Sequence, residues 1–350
     1  MKTKELPKSI GVLVLFALVI GACAAPAPTA VPAAAAPEAT AAPAAAEAPS
    51  DPGKERTIYF ATLNPEGSAF WQKIKRGAED AAKITGWTVV WSGAPEVNTE
   101  IVINRMETAM ATNPDVMVVS LLDPAAMEPV ARRAAQQGII LININTDTGL
   151  ADPPYLMYIG SDEYISGRTA GEAVLRAGST PPKRAACAIH NLGHVGLNNR
   201  CRGFTDVVKE KGTIVDKLDV SGGSTEAEQK VKSYLTAHGT EVEAFYTAGC
   251  NPNVFDPALK VFRDEKVTGR IRFVTADTCL VAFDAIEKGE VIAAIDQQPY
   301  LQGYLPVIYA DLYFRYKMLP GGNRKVLTGP YPIYKEQVPE VRALVEQKYR

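Results

Sequence analysis

Carboxamides, hydroxyls and carboxylates recur in this chain wherever a short apolar run stops. In order they are Asn64 and Ser68, Ser120 and Asp123, Asn145 with Thr146 and Asp147, Asp162 with Glu163, His190 with Asn191, Asn251 with Asn253, Asp277, and Asp296 with Gln297. Amides donate and accept hydrogen bonds, and carboxylates accept them in pairs, so this set suits a ligand rich in hydroxyl groups. Phe70 and Trp71, shortly after the first of these positions, offer flat rings on which the C–H face of such a ligand could pack. Each residue also has an ordinary reading: Asn, Asp and Ser cap helices and open turns wherever a strand ends, and either aromatic could be core. What favours a binding site is the conjunction of polar run ends with aromatic neighbours and no catalytic set.

The chemistry of a catalyst is not assembled here. No G-x-G-x-x-G or G-x-x-x-x-G-K-[ST] loop is present, and no G-x-S-x-G elbow. The whole chain has three histidines, His190, His194 and His238, which makes His-based acid/base or multi-ligand metal chemistry hard to build. Cys187-x2-His190-x3-His194-x6-Cys201 offers side chains that zinc accepts. The same spacing suits a disulfide with polar loop residues between its ends, which is the preferred reading. No cofactor and no bound metal are expected.

The elements that must hold these residues alternate in type. Thr57–Ala61, Thr88–Trp91, Val116–Ser120 and Ile139–Ile144 are nearly continuous apolar runs, as expected of strands buried on both faces. Between them, Phe70, Ile74, Ala78 and Ala81 share one helical face, as do Val130 and Ala134. A second series follows at Leu156–Ile159, Ala185–Ile189, Ala244–Thr247, Ile271–Ala276 and Val291–Ile295. Consecutive βα units of this kind build largely parallel sheets, and small ligands bind outside the carboxyl ends of their strands. The segment from Met106 to Val119 is echoed weakly from Ser233 to Tyr246, which fits two lobes on one plan. Tyr300–Lys317 reads as one long helix stopped by Leu319-Pro320-Gly321-Gly322.

Lys2, Lys4 and Lys8 precede an apolar run of about a dozen residues, too short to span a bilayer and typical of a secretory signal, here residues 1–22. Ile20-Gly21-Ala22-Cys23 resembles a lipobox, with Cys23 as the lipid-modified residue that anchors the chain outside the cytoplasm. Residues 23–54 are then an Ala/Pro-rich tether with too little apolar bulk to fold. Roughly 300 residues remain, enough for two domains. A net charge of −2 with no basic run argues against nucleic acid as partner. Cys187, Cys201, Cys250 and Cys279 are even in number and suit disulfides in an oxidising compartment, with three pairings possible. Cys187 with Cys201 is favoured, closing a short loop worth about 3 kcal/mol.

From about Arg56 to the end, the chain resembles the type I periplasmic sugar-binding proteins, the ribose, galactose and glucose receptor class. The residues that carry this are Thr62-Leu63-Asn64-Pro65 with Phe70-Trp71 and Lys75-Arg76-Gly77-Ala78, then Asp123-Pro124-Ala125-Ala126-Met127. Gly160-Ser161-Asp162-Glu163-Tyr164, Gly167 and Ala170-Gly171 follow, then Arg200-Cys201-Arg202-Gly203-Phe204 and Ala293-Ala294-Ile295-Asp296-Gln297-Gln298-Pro299. The resemblance implies two Rossmann-like α/β lobes joined by a three-crossover hinge near Ser161–Glu163, Asp296–Pro299 and Leu327–Gly329. The lobes would be residues 55–162 plus 298–327, and 163–297 plus 328–350.

It also implies a site. Phe70 and Trp71 match the stacking aromatic pair, Ser68 lies where asparagine is usual, and Ser120 replaces an amide. Asn145 stands in for an aspartate and Thr146 for an arginine, while Arg200, Asp277 and Gln297 match the family's own residues. Asn251 would be the remaining amide, although Gly249-Cys250-Asn251-Pro252-Asn253 departs from the pattern. That departure motivates a bond between Cys250 and Cys279, which follow strands that should be neighbours. The family reading implies a monomeric receptor that captures a monosaccharide, with a lean to an aldohexose such as D-glucose, and closes about it for an ABC permease. A sensor kinase or chemoreceptor in place of the permease, and a sugar-acting enzyme using a pair such as Asp147 and Asp277, are the rival readings. Arg200→Ala and Asp277→Ala are each expected to weaken binding without unfolding the chain.

Overall fold

The computed structural model describes residues 55–63, 68–96 and 98–350. The signal at 1–22, Cys23, the tether to residue 54, and Asn64 lie outside the described residues. No described helix is long and apolar enough to cross a membrane.

Two α/β lobes of six strands each make up the described chain. In the first, strands β1 (Thr57–Ala61), β2 (Thr88–Trp91), β3 (Val116–Val119), β4 (Ile140–Ile144) and β5 (Met157–Ser161) alternate with helices α1 (Ala69–Thr85), α2 (Thr99–Ala111) and α3 (Pro124–Gln136). In the second, α4 (Glu163–Arg176) leads into β6 (Arg184–Ile189), α5 (Val195–Lys209), β7 (Ile214–Asp219), α6 (Ser224–His238) and β8 (Val242–Thr247). Helix α7 (Phe255–Asp264), β9 (Arg272–Ala276), α8 (Leu280–Glu287) and β10 (Ala293–Asp296) complete that series. The chain then returns as α9 (Pro299–Tyr316), β11 (Lys325–Gly329), β12 (Tyr331–Ile333) and α10 (Val338–Glu346).

The strand orders are β2-β1-β3-β4-β5-β11 and β7-β6-β8-β9-β10-β12, the same winding twice. All pairs are parallel except β10 with β12. The equivalence extends to single residues. Asn145, just past β4, and Asp277, just past β9, both take the left-handed backbone conformation, with φ of 66° and 65°. Each donates its N–H to the next strand, Asn145 to Ile159 at 3.3 Å and Asp277 to Ile295 at 2.9 Å. Asn and Asp are the non-glycine residues that reach this region most readily. The Met106–Val119 and Ser233–Tyr246 segments lead into β3 and β8, which occupy the same place in the two sheets.

In the first lobe Ile58, Phe60, Val118, Ile142 and Ile159 are fully buried between helices. The second sheet has a core on each face, one around Phe245, Phe262 and Phe273, the other around Phe204 and Tyr246. Strand β11 stays in the first sheet through Gly329, which pairs with Ser161, and β12 begins at Tyr331 in the second. The third crossing is therefore at Gly329–Tyr331, slightly later than the Leu327–Gly329 segment read from the sequence.

Glycines fix the tightest helix crossing in each lobe. A Cβ on Gly303 of α9 would lie 1.8 Å from the Ile74 carbonyl oxygen of α1, and one on Gly167 of α4 would lie 1.9 Å from that of Arg200 in α5. Backbone cannot retreat from such a contact without parting the helices. Gly167→Ala is expected to destabilise the protein by about 3 kcal/mol or more, read as a lower urea midpoint. An unchanged midpoint would mean that the crossing is not tight.

Candidate functional site

The carboxyl ends of both sheets face one cleft, and the lobes touch across it. The Val195 N–H of α5 lies 3.5 Å from the Leu122 carbonyl, and Lys73 of α1 reaches the second lobe, donating to Thr278 Oγ1 at 3.0 Å and to its carbonyl at 3.2 Å.

On the second lobe, Arg200 is the centre of a buried network. The close packing of α4 on α5 sets it against Glu163, whose carboxylate it holds through Nε and, at 3.2 Å, through Nη2. Its Nη1 donates to the Ala248 carbonyl at 2.8 Å and lies 3.4 Å from both Asp277 oxygens. Burial alone would lower the guanidinium's pKa, but Glu163 and Asp277 outweigh it and hold Arg200 above its ordinary value. Burial also drives the Glu163 carboxyl above its usual range, against the pull of Arg200. Asp277 accepts a further hydrogen bond from Gln297 Nε2, whose own Oε1 is buried without a partner.

Gly249 is where these groups converge. A Cβ there would lie 3.1 Å from Asn251 Nδ2, 3.2 Å from His190 Cε1 and 3.6 Å from Asp277 Oδ2. Asn251 Nδ2 is 3.3 Å from His190 Nε2, while His190 Nδ1 is buried and unpartnered. The Cys250–Cys279 disulfide ties the loop bearing Asn251 to the loop bearing Asp277, with Cα atoms 6.0 Å apart. Cys187 and Cys201 are joined as well, so their sulfurs are spent on each other and not on a metal.

Both histidines titrate abnormally. Burial pushes His190 down to about 4, with Asp277 opposing and Arg200 adding to the fall. Burial, Arg200 and His190 together push His194 down to about 3, and its Nδ1 accepts from the Gly196 N–H at 3.1 Å, which requires a neutral ring. The unfolded chain takes up these protons near pH 6.5, so the stability they contribute is full above that pH and is lost on acidification through pH 4 to about pH 3. A melting temperature that falls through this window, and falls less in a His190→Asn/His194→Asn variant, is the expected outcome. Identical profiles would refute it.

The first lobe contributes fewer groups than its sequence suggests. Ser120, after β3, is fully buried with an unpartnered hydroxyl. Asn145 is 8 % exposed, and its Oδ1 accepts from Thr146 Oγ1 at 3.3 Å. Thr146 itself is fully buried, its carbonyl held by Asn143 Nδ2 at 2.7 Å, so it supports the turn. Phe70 is half-buried at the edge of the core, whereas Trp71 lies within it, packed edge to face at 5.5 Å. Phe70 is therefore the ring left at the edge of the core, and Trp71 supports it from within. Ser68 begins α1 without capping it through its hydroxyl. Asp123 caps α3 by accepting from the Ala126 N–H at 3.2 Å, the ordinary reading of that residue. Asp147 is ion-paired with Lys325 beside Tyr155 and Arg324, apart from the Arg200 cluster, so it does not join Asp277 as a carboxylate pair.

Lys73 completes the cluster although sequence reading did not place it there, whereas Glu163 and His190 stand among the polar strand ends read from the sequence but outside the ligand set that the family resemblance implied. Glu163 and His190 each follow a strand, and that position was their signal. Lys73 lies three residues beyond Phe70 on α1, a spacing that puts both on one side of the helix.

Two like-wound lobes with polar strand ends apposed across a cleft are the architecture of a binding protein. The profile of the periplasmic binding protein domain matches residues 58–316, and the chain belongs to that family, one of substrate-binding proteins and not of enzymes. It is 27 % identical over 272 residues to a xylose/arabinose-binding protein of Sulfolobus acidocaldarius, across 73 % of this chain and 65 % of that relative's length. A carbohydrate transporter of Acidothermus cellulolyticus, solved with myo-inositol, superposes with a TM-score of 0.76 at 27 % identity, covering 85 % of this chain and all of the other. A glucose-galactose binding protein of Geobacillus stearothermophilus shares the fold, with a TM-score of 0.73 at 22 % identity, over 82 % of this chain and 99 % of that one.

Proposed function

We propose that this chain captures a neutral monosaccharide or cyclic polyol between its lobes and delivers it to an ABC permease. The observation that carries the reading is the set of buried, unpartnered polar atoms at strand ends of both lobes: Ser120 Oγ, His190 Nδ1 and Gln297 Oε1. Leaving such atoms unsatisfied costs about 1–3 kcal/mol each, and a ligand bearing many hydroxyls would satisfy them. Asp277, Arg200, Asn251 and Asn145 are the proposed partners of ring hydroxyls, and Phe70 of the ring face.

Charge compensation supports a neutral ligand. Arg200, Lys73 and Arg350 stand against Glu163, Asp277 and Asp296, three cations against three carboxylates. An aldohexose such as D-glucose remains our preferred ligand class. The relatives' own names, one for pentoses, one solved with an inositol and one for hexoses, set the panel to be tried. Binding works by hinge closure, because a ligand that touches both lobes favours the closed form by its differential affinity. We further propose that Cys23 carries a lipid that holds the receptor at the outer face of the membrane, so that Cys23→Ser should release it.

The test is a thermal-shift panel of aldoses, ketoses, polyols, inositols and nucleosides. A ligand at a hundred times its dissociation constant adds about 2.7 kcal/mol, a shift of several degrees. A shift with one sugar supports the reading, and a shift with nucleosides alone would overturn it.

A further inference from the structure

Lys73 is the least expected side chain in the cleft. Its helix belongs to the first lobe, yet its ammonium group is buried on Thr278 of the second, and the residue is 1 % exposed. Thr278 is the residue between Asp277 and the bridged Cys279. Burial lowers the Lys73 pKa to about 8 against the opposing pull of Asp296 and Asp277, so the ion is held at some cost by the groups that surround it. Burying an ammonium is unfavourable unless its hydrogen bonds and counter-charges are supplied. Here the second lobe supplies them through Thr278, Asp277 and Asp296, and an opened cleft would withdraw them. Within their own lobe Asp277, Thr278 and Cys279 are fixed by the Asp277 N–H on Ile295, by Arg200 and Gln297 on the Asp277 carboxylate, by the Phe283 N–H on the Cys279 carbonyl and by the disulfide, and Lys73 adds the hold from the opposite lobe.

We propose that Lys73 is a positioning residue: on closure its ammonium fastens to Thr278, locks the Asp277 turn from the opposite lobe, and so slows the escape of ligand held by Asp277.

The proposal takes the cleft as the sugar site, and its test separates the two. Lys73→Met keeps the length of the side chain and removes the ammonium. Stopped-flow kinetics with the sugar found in the panel should show dissociation about tenfold faster or more, the effect of one charged hydrogen bond, with association nearly unchanged. Small-angle scattering should give Lys73→Met a larger radius of gyration than the wild type even without sugar. Thr278→Val should reproduce part of the loss, and the double variant should be no worse than Lys73→Met alone. Additive losses, or an unchanged dissociation rate, would overturn the proposal. If Lys73→Met does not fold, Thr278→Val alone must speed dissociation for the idea to stand. If the wild type binds no sugar, the functional reading fails, and equal radii of gyration for wild type and Lys73→Met then reject the latch independently.

Discussion

Arg200→Ala should lose about 3–5 kcal/mol of folding stability, because it leaves the Glu163 carboxylate buried without its partner. Both side chains are about 4 % exposed, and the pair is bidentate. The expected reading is a large fall in urea midpoint with an unchanged m-value. This replaces the expectation from sequence that Arg200→Ala would leave the fold intact. The family resemblance names Arg200 as a ligand contact, but only the glycine-tight crossing of α4 and α5 shows that Glu163 already occupies its Nε edge. An Arg200→Met/Glu163→Met variant should recover much of the loss, since it removes both charges together. If Arg200→Ala melted with the wild type, the buried pair would not be structural.

Asp277→Ala should do the opposite. The carboxylate is about 20 % exposed, and Arg200 keeps Glu163 and the Ala248 carbonyl when it is gone. Stability should therefore fall by only about 1 kcal/mol, since alanine holds the left-handed turn at this position less readily than aspartate. Affinity should fall roughly a hundredfold or more, since charged hydrogen bonds are worth about 1.5–3 kcal/mol each. Asp277→Asn should lose less, because an amide still accepts through one oxygen. Equal affinity for Asp277→Ala and wild type would remove Asp277 from the site.

The division between what sequence reveals and what it hides is physical. Strands buried on both faces, such as Val116–Val119 and Phe273–Ala276, announce themselves as apolar runs. Strand β7, reading Ile-Val-Asp-Lys-Leu-Asp, and the short β11 and β12 lie at sheet edges, where solvent permits charge, and so left no such run. Asp277, Asn251 and Gln297 were legible because strand ends face the cleft, Arg200, inside α5, was named only by the family resemblance, and both disulfides formed as paired from sequence. Asp147 misled for the same reason: it follows β4 as Asn145 does, but the loop turns it toward Lys325. Lys73 was illegible as a site residue because its role depends on a partner across the lobes, and Glu163, read as one of the polar strand ends, reveals its pairing with Arg200 only across a helix crossing.

A ligand held by Asp277 between two closing lobes is the central expectation. Calorimetric titration of D-glucose, D-xylose and myo-inositol into wild type and Asp277→Ala, side by side, tests it most directly. It predicts one-site binding of at least one of these to the wild type and a loss of about a hundredfold in the variant. Wild-type protein that binds none of them, or a variant that binds as tightly, would contradict it.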